Sequence, residues 1–173
     1  KGIFAHGWVL AGGDKMSKSQ GRVVDPSALV DAYGPDAVRY ALLREAPFAQ
    51  DFELDETRIV GRLNRDLGND LGNLCMRTLT MLEKYCGGKA PAAGTLQGPE
   101  EAGLREICGK LRASYEPAME ALEFHRALEA TWGPVTAANQ AIEHAKPWAM
   151  AKDPAKKPVL DALLSALLDV LHT

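Results

Sequence analysis

The sequence predicts a mainly α protein, a helical bundle preceded by a small strand-and-loop piece at the N-terminal end. Three observations predict it. Apolar residues recur three or four apart over long stretches, the period of a helix with one buried face. Proline and glycine stand where helices start and stop. Only one run near the N-terminus reads as a strand. With 173 residues, 46% of them hydrophobic and 25% charged, the chain can hold one good core, or one core plus the remnant of another.

The elements follow in order. Ile3 to Leu10 is short, aromatic and aliphatic, and reads as a strand. It runs into "AGGDKMSKSQGRVVDP", Ala11 to Pro26, a glycine-flanked loop too polar to pack a core. Asp25 then offers an N-cap, Pro26 a first helical position and Gly34 a stop. Pro35 leads a second short helix to about Ala46, and Phe48 to Leu54 reads as a connector. Asp55 caps a long amphipathic helix over Glu56 to Tyr85, whose apolar positions include Ile59, Leu63, Leu67, Leu71, Leu74, Leu79 and Leu82. Gly87 and Gly88 end it. A second helical pattern runs from Leu104 through Ile107, Leu111, Tyr115, Met119 and Leu122 to Leu128. Pro117 is expected to kink or interrupt it, and Gly133-Pro134 to break it again. Pro147 ends the stretch that follows. The last helix, Pro158 to His172, presents a broad leucine face.

Composition excludes several classes. No apolar run reaches the roughly 18 residues of a membrane span, and the opening lacks a signal layout. A chain that begins at Lys1 reads as cut from something longer. Cys75, Cys86 and Cys108 are odd in number and never spaced as C-x-x-C, which argues against a disulfide framework or a zinc ribbon and fits a reducing, cytoplasmic setting. A net charge of -3 gives no broad positive field, so any RNA must be held by local contacts.

The loop holds "KMSKS", Lys15 to Ser19. Ammonium groups on a glycine-flanked loop can swing onto a polyphosphate and neutralise the charge building on a departing pyrophosphate. Ser17 and Ser19 add hydroxyl donors. His6 and His125 have no evident catalytic partner.

"KMSKS", followed by "QGRVVDP" and "YGPDAVRYALLRE", resembles the end of the catalytic domain of class I aminoacyl-tRNA synthetases. Three further stretches narrow this. "GRLNRDLGNDLGNLCMRTLTMLEKY" resembles the first long anticodon-domain helix of methionyl-tRNA synthetases. "AANQAIEHAKPWAMAK" resembles their later helix ending in Pro-Trp, and "FAQDFELDETRI" their inter-domain linker. The resemblance covers essentially the whole chain.

It implies residues 1–54 as the end of a Rossmann-type catalytic domain and 55–173 as a helical-bundle anticodon-binding domain. The activity implied is formation of methionyl-adenylate from methionine and Mg2+-ATP and transfer to tRNA(Met). Lys15 and Lys18 would be the catalytic residues, steadying pyrophosphate, within an ATP-binding set of Lys15, Met16, Ser17, Lys18 and Ser19. Asn73, Arg77 and Trp148 would read the CAU anticodon, with Trp148 stacked on its cytosine. No metal site is implied in these residues. The family's His-Ile-Gly-His element and methionine pocket are missing, so the chain alone is expected to bind no cofactor and to lack aminoacylation activity.

The residue types suit those roles. Asn73 and Arg77 are four apart on one helical face, and an amide with a guanidinium fork can read exposed base edges. A Trp just after a helix-ending Pro can serve as a stacking plate. Asn69 and Asn139 read as structural hydrogen-bonders supporting that face. Two alternatives stand beside this reading: another synthetase of the subclass (leucyl, valyl, isoleucyl or cysteinyl), which would share the loop but not the three residues, and a non-catalytic tRNA-binding module.

Overall fold

The computed structural model describes residues 7–11, 13–16, 24–92 and 98–173. It is mostly helical, with one small sheet. Two compact units divide it: residues 1–67 with 114–130, and residues 68–113 with 131–173. The helix beginning at Glu56 packs Ile59 into the core of the first unit.

In the first unit, β1 (Val9–Ala11) pairs antiparallel with β2 (Asp14–Lys15) and parallel with β3 (Phe52–Glu53). Of the expected strand Ile3 to Leu10, residues 3–6 lie outside the described residues. β3 lies in the stretch expected to be only a connector; two residues are too short to show an alternating pattern. Its register is secured by Phe52 N–H donating to the Trp8 carbonyl at 3.0 Å and Leu54 N–H to that of Leu10 at 3.0 Å. Close approach here demands glycine, since a Cβ on Gly7 would stand 2.0 Å from the Gln50 carbonyl oxygen.

Helices α1 (Pro26–Tyr33) and α2 (Pro35–Glu45) start as their sequence predicts. The Asp25 carboxylate accepts from Ser27 N–H at 2.9 Å, and Pro26 and Pro35 stand where a helix lacks partners for its N–H groups anyway. Gly34, at φ +83°, turns the chain between them. Leu29, Val38, Ala41, Phe52, Leu54 and Ile59 form the core of this unit.

Helix α3 (Glu56–Arg62) is capped by Asp55, whose carboxylate accepts from Arg58 N–H at 2.7 Å. The long helix expected over Glu56 to Tyr85 is π-helical over Leu63–Gly72 before α4 (Asn73–Cys86) resumes α spacing. Apolar spacing alone does not distinguish the two, because Leu63, Leu67 and Leu71 stand four apart, a spacing that suits either turn. Asp66, at 2% exposure, is buried in this segment. Tyr40 donates its hydroxyl to Asp66 at 2.5 Å, and Arg44 and Arg62 approach the same carboxylate at 3.5 Å. Burial, reinforced by the hydrogen bond to Asp66, pushes the Tyr40 hydroxyl well above its ordinary range.

The second unit packs Leu74 and Leu82 of α4 and Leu104 of α5 (Pro99–Glu120) with Ala138 and Ile142 of α6 (Phe124–Ala145) and the leucines of α8 (Lys157–His172). Each fully buried leucine contributes about 1.5–3 kcal/mol. Leu79 and Ile107, counted above with the apolar faces, are 51% and 37% exposed.

Neither proline breaks a helix. Pro117 lies near the end of α5, and Pro134 lies within α6, where Gly133 has no Cβ to clash with the ring. The break comes instead at Leu122, at φ +60°. There Glu123 N–H bonds the Ala118 carbonyl at 2.8 Å and Leu122 N–H that of Met119 at 3.1 Å, a Schellman stop with leucine in the place glycine usually takes.

Candidate nucleic-acid interface

The N-terminal candidates fall partly within the described residues. Gly13, at φ +83°, turns the chain between β1 and β2, and its N–H donates to Glu53 Oε1 at 2.5 Å. Lys15 stands in β2 opposite Leu10. Met16 donates its N–H to the Val9 carbonyl at 3.3 Å and packs against the core of its unit. Ser17, Lys18 and Ser19 lie outside the described residues. The hairpin therefore carries the first lysine of the loop on a hydrogen-bonded strand whose partner strand is anchored to β3.

The second set lies in the other unit. Asn73 opens α4 and is exposed. It lines an open depression with Gly68, Asn69, Gly72 and Met76, and Met76 itself is 66% exposed. One turn on, Arg77 donates from Nη2 to Glu143 Oε1 at 2.6 Å. Leu74 and Thr78, each the next residue along, are wholly buried. That phase leaves Asn73 and Arg77 beside the buried line of the helix.

Trp148 reaches the surface by a specific device. Helix α6 ends at Ala145, and Lys146 turns at φ +50°. A residue before proline is disfavoured in the α region, so the turn to the short helix α7 (Pro147–Met150) falls there. Pro147 is fully buried while its neighbour Trp148 is 45% exposed. The proline anchors the turn in the core and the indole faces water. An indole half in solvent is poorly used as packing, whereas it suits a plate for an aromatic ligand.

Arg77 and the Trp148 turn are connected through α6. Glu143, which holds Arg77, stands five residues before Trp148. Asn139, one turn earlier still, donates from Nδ2 to the Asp70 carbonyl at 3.1 Å. Glu143 was missed in the sequence; its four-residue spacing from Asn139 is the signal that could have found it. Asn69 lines the depression. Asn73 and Arg77 on α4 and Trp148 after α6 each offer a polar or aromatic group with access to solvent, and a carboxylate contacts the guanidinium. It contains no nucleophile paired with a base.

Among the described residues no group of three or more His, Cys, Asp or Glu side chains is placed to hold a metal ion, and no helix is long and apolar enough to cross a membrane. The cysteines are free thiols. Burial, together with hydrogen bonding to Asp161, pushes the Cys86 thiol up from its ordinary range.

Residues 1–79 match the family model described as tRNA synthetases class I (M). Over 172 residues, 99% of this chain, the methionine–tRNA ligase of Caldanaerobacter subterraneus is 44% identical, and the chain covers 27% of that protein. The methionine–tRNA ligase of Enterococcus faecalis is 43% identical over 99% of this chain, which covers 26% of it. Among solved structures, Mycobacterium tuberculosis methionyl-tRNA synthetase in complex with methionyl-adenylate matches with a TM-score of 0.88 and 39% identity, over 98% of this chain and 33% of that one. The free form of the same enzyme matches with a TM-score of 0.84 and 36% identity, over 98% and 32%. The chain thus matches methionine–tRNA ligases over nearly its whole length, and spans about a quarter of the length of these curated relatives.

Proposed function

We propose that this chain is the part of a methionine–tRNA ligase that supplies the lysine loop and the surface recognising the CAU anticodon of tRNA(Met). The observation that carries the reading is the match to methionine–tRNA ligases along 99% of the chain. It is supported by the exposed amide of Asn73 and indole of Trp148 and by the half-buried guanidinium of Arg77. In this reading residues 1–54 close the Rossmann-type catalytic domain and 55–173 form the anticodon-binding bundle.

The parent enzyme would activate methionine with ATP and Mg2+, in the cytoplasm, and transfer it to tRNA(Met). Lys15 and Lys18 would stabilise the charge that develops on pyrophosphate as the methionine carboxylate attacks the α-phosphate, with Met16, Ser17 and Ser19 shaping the loop around ATP. Such a loop binds the transition state and provides no nucleophile. The base-reading set works by different physics. An amide and a guanidinium present donors and an acceptor to the edges of unstacked bases, and stacking on the indole is worth about 1–3 kcal/mol per base.

The test for the loop is methionine-dependent ATP–pyrophosphate exchange by the full-length enzyme. Lys15→Ala or Lys18→Ala should slow it by about a hundredfold or more, the usual scale for removing one well-placed charge-stabilising donor. Exchange at the unaltered rate in both variants refutes the assignment. The chain alone should show no exchange above background.

A further inference from the structure

We propose that Asn139 is a positioning residue for base recognition: its amide holds the Asp70 carbonyl in the π-helical segment and so fixes the direction in which Asn73 and Arg77 leave the helix. The inference rests on the anticodon reading given above.

The amide makes two hydrogen bonds, both from Nδ2: to the Asp70 carbonyl at 3.1 Å and to the Val135 carbonyl, one turn back on α6, at 3.3 Å. Both partners are acceptors, so the nitrogen must face them and the amide has one orientation. Its Oδ1 is then buried with no hydrogen-bond partner among the described residues. An orphaned buried acceptor is unfavourable, and an apolar side chain at this position would avoid it. The return for keeping an amide here is the contact to Asp70.

That contact falls at a sensitive place. Asp70 lies near the end of the π segment Leu63–Gly72, and α4 begins at Asn73. Where a helix passes from π to α spacing, its backbone ladder changes partners by one residue, and carbonyls there are short of donors. A side-chain donor at the junction stabilises the wide turn. Slipping the junction by one residue would rotate everything after it by about a hundred degrees. Arg77 would then move off its present line and toward that of wholly buried Thr78. Helix α6 thus touches this stretch twice, through Asn139 to Asp70 and through Glu143 to Arg77, and Asn73 lies between the two contacts in sequence.

The experiment compares the full-length ligase with its Asn139→Asp and Asn139→Leu variants. The first keeps the shape and removes the donor; the second removes donor and orphan acceptor together. Dissociation constants are measured for an anticodon stem-loop carrying CAU and for the same stem-loop with each anticodon base changed in turn, beside thermal unfolding and amide hydrogen exchange over residues 68–77. Both variants should lose about tenfold of their preference for CAU while binding the altered stem-loops as before, and exchange over 68–77 should quicken more than in the rest of α4. A folded variant that keeps the full preference overturns the inference, whatever its melting temperature. If both variants unfold, exchange in the unmodified enzyme decides. Slow exchange over 70–77 without RNA supports a segment set in advance; fast exchange slowed only by RNA overturns it. An unmodified ligase that shows no preference for CAU removes the anticodon reading itself, and this inference with it.

Discussion

Arg77 on α4 donates to Glu143 on α6 across 2.6 Å, joining residues 66 apart in sequence. Glu143 is 63% exposed at its side chain and Arg77 27%, so water screens the pair and its worth to stability is under about 1 kcal/mol. Glu143→Gln should therefore move the melting temperature by only a few degrees. The pair matters more for geometry: one edge of the guanidinium is held and the remaining N–H groups are directed. Arg77→Lys keeps the charge and loses the planar fork. It should weaken binding of a CAU stem-loop by about tenfold, or about 1.4 kcal/mol, with unchanged thermal unfolding; unaltered affinity would show that the fork does not read a base.

Trp148 and Pro147 divide their roles, the proline buried and the indole 45% exposed. Trp148→Ala should cost one to two decades of affinity for a CAU stem-loop, from the stacking of about 1–3 kcal/mol per base. Trp148→Phe should recover part of that loss. Both variants should unfold within a few degrees of the parent, whereas a large loss of stability in Trp148→Ala would make the indole a packing residue.

Asp66 is buried against Tyr40, Arg44 and Arg62. Asp66→Ala strands Arg44, itself largely buried, and leaves Arg62 only its contact with Glu45 at 2.6 Å, and should cost about 3–5 kcal/mol in denaturant unfolding. A loss below about 1 kcal/mol would mean that water already satisfies those arginines.

The same network gives a pH dependence with a definite sign. The Tyr40 hydroxyl is held above its ordinary value near 10 by burial and by Asp66. A group raised on folding contributes stability that is complete below its unfolded value and is lost as pH climbs beyond it. The stability difference between the parent and Tyr40→Phe should be constant from about pH 7 to 9 and shrink above about 10. A difference that grows above that value contradicts the assigned environment.

Leu122 takes a left-handed conformation at φ +60°, which costs an ordinary residue about 1–2 kcal/mol and glycine almost nothing. At 39% exposure its side chain has little burial to lose. Leu122→Gly should raise stability by about 1 kcal/mol in urea unfolding; a drop would show that the leucine contacts outweigh the strain.

Local signals were legible in the sequence because the interactions behind them are local. Asp25 and Asp55 cap helices two or three residues away, and Gly87 at φ +59° stops α4 where the pattern ends. Long-range partners were not legible. Strand β3 exists because β1 pairs with it, and Arg77 meets a carboxylate that only the packing of α4 against α6 supplies. Proline was over-weighted as a breaker: Gly133 relieves the clash at Pro134, while the real break at Leu122 has neither glycine nor proline to announce it. At the candidate site, the residue types and the accessibility of Trp148 could be anticipated from Pro-Trp after a helix. The π segment before Asn73 could not, since its apolar spacing imitates an α-helix.

Asn73, Arg77 and Trp148 are proposed to distinguish anticodons. The decisive titration gives the full-length protein fluorescently labelled stem-loops that differ only in the anticodon, at one fixed salt concentration. Binding should be tightest to CAU and fall by at least about tenfold for a change at its cytosine, with that difference abolished in Trp148→Ala. Equal affinity for CAU and altered stem-loops in the unmodified protein would contradict that proposal.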